Sequence, residues 1–391
     1  MTESTLHAHR LLLRFGLSLV HAFAWVFVFE YFYLLSGSEA RALAGAVALY
    51  AFAQFITIVA TPVSAAHLAR GVKRSLIWGA LIAASAFVVL GAAFSGYFTT
   101  PALWGVVAFA TLLGLYRALY WIPYTLASSE GAPLAHMRTY FEVFIALMPL
   151  FAGLTLVSMQ SAPARLLFGA SALIVLSTLP ALFMRDTREH FSWPYVYTFK
   201  QLFRRRNHGL VLQSILEGMQ GAALFLVWPL AIFLILEWSY SMLGLVFTIS
   251  LLSILLLRRF YRWLAGSFGI RSSSTVHTVI AVSGWVARLA AGTPIGIMIA
   301  DAYSYSTQPE RGTHADPFSF EHVSDRGAFL DEYTALKEIA LALGRIMLCI
   351  VVFFLAFAFA LPIVFAIALL IAAAAAGIST LVAQRLSPAT Y

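Results

Sequence analysis

The sequence has 391 residues, of which 61% are hydrophobic and only 11% charged, with a mean hydropathy of +0.86. A soluble globular domain carries roughly 25% charged residues because its surface faces water, so this composition excludes that class. The net charge is +8, but the basic residues are distributed between the apolar segments of the chain and do not form one basic patch. We therefore expect no nucleic-acid partner.

The apolar residues form long runs, several of which reach the roughly 18 to 20 residues that a helix needs to cross about 30 Å of hydrocarbon. Strands of a membrane barrel would alternate apolar and polar residues over about 10 residues, and these runs do not. In chain order, the predicted transmembrane helices are 11–35, 41–66, 75–95, 101–127, 140–160, 163–184, 208–236, 240–257, 273–290, 293–308, 333–359 and 362–384.

The basic residues predict the orientation of these helices. With the N-terminus inside, most of the 25 basic residues fall in cytoplasmic segments, and only Arg41 and Arg165 fall in outside segments. This asymmetry is the positive-inside pattern of polytopic membrane proteins. It predicts a multi-pass protein of the cell (inner) membrane with both termini in the cytoplasm and membrane lipids around it.

The segment from Arg185 to Asn207 divides six predicted spans from six. It mixes aromatic residues such as Trp193 and Tyr197 with basic ones such as Lys200, a composition that favours the headgroup region. An ordinary basic loop explains the charges equally well. The predicted domains are a six-helix bundle at 1–184, an amphipathic cytoplasmic linker at 185–207 and a second six-helix bundle at 208–391.

Two short internal repeats occur at nearly the same offset. The stretch GVKRS at 71–75 resembles GIRSS at 269–273, and EVFIAL at 142–147 resembles EIALAL at 338–343. Each pair falls in the same span of its own half. The repeats therefore indicate duplication of a six-span unit.

With this topology the chain resembles the major facilitator superfamily, whose two halves are related by an axis along the membrane normal. Residues 70–74 resemble the end of that family's signature loop, although Leu68 and Ser64 stand where the family has an acidic residue and a glycine. Arg117 lies where many members carry an intramembrane arginine. The resemblance implies an all-α fold of about 12 transmembrane helices in two pseudo-symmetric six-helix bundles, and assigns no subfamily.

A polar stripe marks the seventh predicted span. Gln213 and Gln220 lie four residues before and three residues after Glu217, so the three side chains share one helix face. Lipid cannot satisfy such a stripe, which should face a cavity or another helix. It is a candidate substrate or proton-coupling site, and the alternative is a static hydrogen bond between helices.

Four other polar residues within spans are candidates for the same role, because an ionisable group at bilayer depth is costly. Arg117 and Asp301 lie in equivalent spans of the two halves and either pair across the cavity, bind a charged substrate separately, or bond locally to Tyr120 and Tyr303. Glu30 lies towards the outer end of the first span. His21 lies deeper in that span and either titrates or packs.

In this fold the second and eleventh spans, and the fifth and eighth, meet across the interface between halves. Glu338 then faces Arg70 or Lys73, and Glu142 faces Arg262 or Arg271. These pairs would form a cytoplasmic gate, whereas the alternative is that each glutamate only caps a helix start. The gate candidates are Arg70, Lys73, Arg74, Glu142, Arg262, Arg271 and Glu338.

The leading hypothesis is a monomeric secondary transporter that moves a small solute by alternating access and is coupled to protons. The sequence has no phosphate-binding loop and no HExxH motif, and we expect no cofactor, no metal and no enzymatic activity. The alternatives are a lipid or lysophospholipid flippase, or a membrane-embedded receptor or lipid-modifying enzyme.

Overall fold

The structure is a computed structural model that describes residues 2–95, 102–128, 135–157, 162–189, 191–268, 274–306 and 331–386. These residues form helices joined by short connections, with no strand among them. The helices before the midpoint are α1 (Thr2–Ser36), α2 (Glu39–His67), α3 (Val72–Phe94), α4 (Ala102–Ser128), α5 (Ala135–Val157) and α6 (Ala162–Leu182).

The second part of the chain contains eight helices within the described ranges. They are α7 (Tyr195–Gln201), α8 (His208–Ala222), α9 (Trp228–Ile235), α10 (Tyr240–Phe268), α11 (Ser274–Leu289), α12 (Pro294–Ser306), α13 (Asp331–Ala358) and α14 (Leu361–Leu386). A π-helical turn at Ala223–Val227 joins α8 to α9, so that the two form one span of 28 residues.

Ten helices among the described residues are long and apolar enough to cross a membrane. The two predicted spans at 273–290 and 293–308 correspond to α11 and α12, which have 16 and 13 residues. The predicted all-α membrane fold is therefore confirmed, with α11 and α12 as its two short members.

The packing of the helices repeats between the two parts of the chain. In the first part α1 packs on α5 and α6, α3 packs on α4 and α6, and α2 packs on α4. The equivalent pairs in the second part are α8 with α13 and α14, α11 with α12 and α14, and α10 with α12. This is the pseudo-symmetric arrangement predicted from the repeats, while the domain boundaries at 184 and 207 stay a prediction.

Two helix pairs join the halves. As predicted, α2 packs on α13 and α5 packs on α10. At the second crossing the glycines Gly153 and Gly244 face each other, and a Cβ on Gly153 would lie 3.2 Å from the Cα of Gly244. Small residues let membrane helices approach closely without a hydrophobic driving force.

The predicted linker differs from the structure. Tyr195–Gln201 is α-helical and Arg205–Asn207 forms a 3-10 turn, whereas 183–194 is not helical, with residue 190 outside the described residues. Pro194 fixes the start of this short helix. The linker reaches the second half through Ser192, whose backbone N–H donates to the carboxylate of Glu332 at 3.2 Å, and through the edge contact of Trp193 with Tyr333.

The contact between α8 and α13 depends on glycine. A Cβ added to Gly344 would overlap the carbonyl oxygen of Ile215 on α8, whereas a Cβ on Gly169 of α6 would meet nothing within 4 Å. We expect Gly344→Ala to lower the free energy of unfolding by about 1–3 kcal/mol through overpacking. Gly169→Ala should raise it by up to about 1 kcal/mol through helix propensity. Thermal unfolding of the two purified variants in detergent measures both, and equal effects would contradict the packing.

Candidate functional site

A small cavity lies between the two halves. Ser18 and His21 of α1 and Pro149 of α5 line one side, and Ser250 of α10 and Asp301 of α12 line the other. Its volume is about 70 Å³. A buried water needs about 10–15 Å³ of cavity volume. This cavity therefore has room for a few waters, along which protons can move, but not for an organic solute.

Asp301, in the wall of this cavity, belongs to a buried ion pair of the second half. The Nε of Arg288 on α11 donates to the Asp301 carboxylate at 2.9 Å, and the side chains of this pair are 1% and 4% exposed. The indole N–H of Trp228 on α9 donates to the same carboxylate at 3.0 Å. The Arg288 guanidinium also lies 4.6 Å from the ring centre of Trp285. The carboxylate is thus held by two donors and its cation by an aromatic face.

Of the alternatives for Asp301, the structure shows a local pair within the second half, and its partner is Arg288 and not Arg117. The turn between α11 and α12 brings Arg288 to Asp301 within one half, whereas Arg117 lies 5.8 Å from the ring centre of Tyr50. Nor does Tyr303 bond to Asp301, because its hydroxyl is hydrogen-bonded to Ser283 at 2.8 Å. Asp301 therefore pairs with a residue of the preceding helix in its own half, and not with a residue of the other half.

The polar stripe of α8 is split between two environments. Gln213 donates to the Glu217 carboxylate along the same helix at 3.0 Å, and both side chains are partly exposed. Gln220 is fully buried and its amide reaches Ser379 of α14 at 3.3 Å. Gln220 thus has the static interhelical bond that was the alternative, and a coupling role for Glu217 stays a prediction.

His21 and Glu30 lie at two levels of α1. His21 lines the cavity between the halves and contacts the ring edge of Phe225, with centroids 5.4 Å apart. Glu30 lies at the end of the bundle that carries Gly37 and Leu236, called here the distal end. There its carboxylate accepts a hydrogen bond from the Tyr240 hydroxyl of the other half.

Two gate candidates at the opposite end are bound within the first half. The Lys73 ammonium donates to the carbonyl of Leu182 at 3.0 Å, and Arg74 lies 3.7 Å from Asp186. Arg70 is exposed while Glu338 is buried. The predicted contact of Glu338 with Arg70 or Lys73 stays a prediction.

The other gate candidates are Glu142, Arg262 and Arg271. The side chain of Arg262 and all of Arg271 lie outside the described residues. Glu142 is partly exposed at the start of α5. A gate that forms only when this end closes stays a prediction.

The importance of Arg288 and Trp228 was missed from the sequence. A signal was present, because Arg288 and Asp301 carry opposite charges in consecutive short spans on either side of one turn. Among the described residues, no group of three or more His, Cys, Asp or Glu side chains forms a metal site.

Comparison with solved structures decides the fold. A bacterial homologue of the iron transporter ferroportin in its inward-facing state superposes with a TM-score of 0.61 at 17% identity, over 99% of this chain and 98% of that one. The xylose transporter XylE from E. coli, in a partially occluded inward-open conformation, gives a TM-score of 0.65 at 13% identity, over 99% and 97%. The chain has the major facilitator fold.

The major facilitator fold is all that this similarity establishes, because the identities are low. No protein-family model and no curated protein sequence matches the chain. The ferroportin homologue also matches in its outward-facing state, with a TM-score of 0.59 at 16% identity, over 98% of this chain and 99% of that one. The neighbours thus include one transporter captured in both access states.

Proposed function

We propose that the protein is a secondary transporter that moves a small solute by alternating access, coupled to protons. It acts as a monomer in the cell membrane, with both termini in the cytoplasm and bundles at 1–184 and 208–391 that rock about the α2–α13 and α5–α10 contacts. The similarity to transporters in inward-facing and outward-facing states supports this proposal.

The buried Arg288–Asp301 pair carries the proposal of proton coupling. Ionisable groups at bilayer depth cost about 2.5–3.5 kcal/mol each on insertion scales and mark ion pathways. Asp301 contacts both its cation and the cavity between the halves. A proton that reaches Asp301 through this cavity neutralises it and releases Arg288. Proton binding thereby changes the charge on the wall along which the halves move.

The second part of the proposed transport cycle is a distal end that is closed in this structure. Tyr240 of α10 contacts the rings of Phe23 and Phe27 on α1, with centroids 6.3 and 5.6 Å apart, in addition to its bond with Glu30. Trp238 adopts a positive φ of 64°, and the centre of its ring lies 4.7 Å from that of Tyr33 with the rings tilted by 52°. These contacts join the halves across the distal end, and we assign them as the distal gate.

Reversible cross-linking of this gate tests alternating access. In a Cys349→Ala background, a reducible bifunctional thiol reagent that joins Glu30→Cys to Tyr240→Cys should stop solute flux into proteoliposomes by tenfold or more. Reduction should restore flux. The matched control joins Ser283→Cys to Tyr303→Cys, which are hydrogen-bonded within one half. The control should keep its flux, and continued flux through the cross-linked gate would contradict alternating access.

A further inference from the structure

A second and larger cavity lies near the distal end, on the second half beside the start of α2. It is half-open, is lined mainly by α9, α11 and α14, and has a volume of about 420 Å³. Pockets for small organic ligands typically have volumes of about 300–1,000 Å³. This cavity is therefore of the size that binds an organic molecule, unlike the cavity between the halves.

The wall of this cavity is apolar except at two points. Leu234 of α9 and Leu361, Phe365 and Leu369 of α14 form the apolar part. Arg288 supplies the buried charge, and Glu39 of α2 lies at the exposed rim. The carboxylate of Glu39 at the rim is screened by water and salt, whereas the buried guanidinium of Arg288 is not. Arg288, and not Glu39, therefore determines which charge the ligand carries.

Arg288 is shared between the two cavities. It lines the larger one, while Asp301, its carboxylate partner, lines the smaller one between the halves. Trp228 lines both and donates its indole N–H to Asp301. A carboxylate that enters the larger cavity therefore meets the guanidinium that Asp301 already holds, and competes with Asp301 for its positive charge.

We propose that this cavity binds a small amphipathic carboxylate. Its carboxylate takes the place of Asp301 on Arg288, and its hydrocarbon part packs on the apolar wall formed by α9 and α14. This inference does not depend on transport, because it concerns equilibrium binding of a ligand and not movement of the two halves. It assigns a ligand class, an apolar monoanion, to a cavity separate from the one between the halves.

The exchange has a defined charge balance. When the ligand carboxylate binds Arg288, Asp301 is left buried beside Trp228, and a buried unpaired carboxylate is strongly disfavoured. One proton then moves from water in the cavity between the halves to Asp301. The charged or titratable groups that face this pair are His21 across that cavity and Glu39 at the rim. One anion and one proton are therefore bound together.

Direct binding to the full-length protein in detergent tests the proposal. The probe is hexanoate, and hexanol and hexylammonium serve as ligands of matched length and different charge. Isothermal titration calorimetry should show hexanoate binding at least tenfold more tightly than either. Arg288→Gln should weaken hexanoate binding by about 10- to 100-fold, the range expected for loss of a charge-assisted hydrogen bond.

Asp301→Asn should act in the opposite direction. It removes the competing carboxylate and should tighten hexanoate binding by tenfold or more, a gain that misfolding cannot produce. Arg41→Gln is the matched control, because Arg41 is an exposed cation of α2 that does not line the cavity, and its affinity should not change. Equal binding of hexanoate and hexanol, or no gain in Asp301→Asn, would overturn the proposal.

Chain length distinguishes the two sources of such a ligand. Each methylene that enters the apolar wall should tighten binding by about fourfold, so hexanoate should bind more tightly than acetate. A gain that continues to dodecanoate supports a fatty acid from the bilayer. A loss at dodecanoate supports a soluble carboxylate. Affinities that do not depend on chain length would contradict the predicted contact with the wall.

Discussion

Replacing Arg288 with glutamine should lower the free energy of unfolding by about 3–5 kcal/mol, the cost expected when one partner of a buried ion pair is removed. The pair is buried from bulk solvent, since its side chains are 1% and 4% exposed. Trp228 alone would then hold the Asp301 carboxylate. The double substitution Arg288→Gln with Asp301→Asn should recover much of this loss, because it leaves no charge behind.

The exposed pair of Arg74 and Asp186 is the matched control. Its atoms lie 3.7 Å apart and the side chains are 65% and 29% exposed. Such surface pairs contribute about 0–1 kcal/mol, so Arg74→Gln should change stability little. Unfolding in mixed micelles, followed by tryptophan fluorescence, compares the four proteins. A loss in Arg288→Gln no larger than in Arg74→Gln would show that the buried pair does not stabilise the fold.

The fold could be predicted because the apolar runs that indicate it are long. Each predicted span overlaps a described helix, since the length of an apolar run decides whether it crosses a membrane. Some helices extend beyond the apolar run, since α1 begins at Thr2 and α10 ends at Phe268. The repeats at 71–75 and 142–147 predicted the parallel halves, and the packing of α2 on α13 and of α5 on α10 agrees. The conformation of the linker could not be predicted, because its mixture of polar and aromatic residues does not determine where the backbone is helical. The structure places an α-helix at Tyr195–Gln201.

The candidate site could be predicted only in part, because the sequence does not specify how each helix is rotated. Gln220 and Glu217 share a helix face, yet Gln220 packs against α14 while Glu217 bonds to Gln213. Similarly, equivalence between the fourth and tenth spans suggested that Arg117 would meet Asp301. The short turn at Ala290–Thr293 instead positions Arg288 beside Asp301.

Neutralising Asp301 should uncouple transport from the proton gradient. Asparagine has nearly the same shape and keeps an oxygen that accepts the Trp228 hydrogen bond, but it cannot bind or release a proton. Asp301→Asn should therefore retain downhill exchange of solute while losing gradient-driven accumulation by tenfold or more. Glu217→Gln distinguishes the two coupling candidates. If the Arg288–Asp301 pair carries the coupling, this variant retains accumulation, because Glu217 is partly exposed and bonds to Gln213 on its own helix.

The most direct test of the central claim is solute flux in proteoliposomes, measured for a broad panel of small solutes with and without an imposed pH gradient. The wild type and Glu217→Gln should accumulate at least one solute when the gradient is present, and Asp301→Asn should only equilibrate it. The absence of gradient-dependent flux in the wild type for every solute would contradict proton-coupled transport. Accumulation that persists in Asp301→Asn would contradict the role of the Arg288–Asp301 pair in coupling.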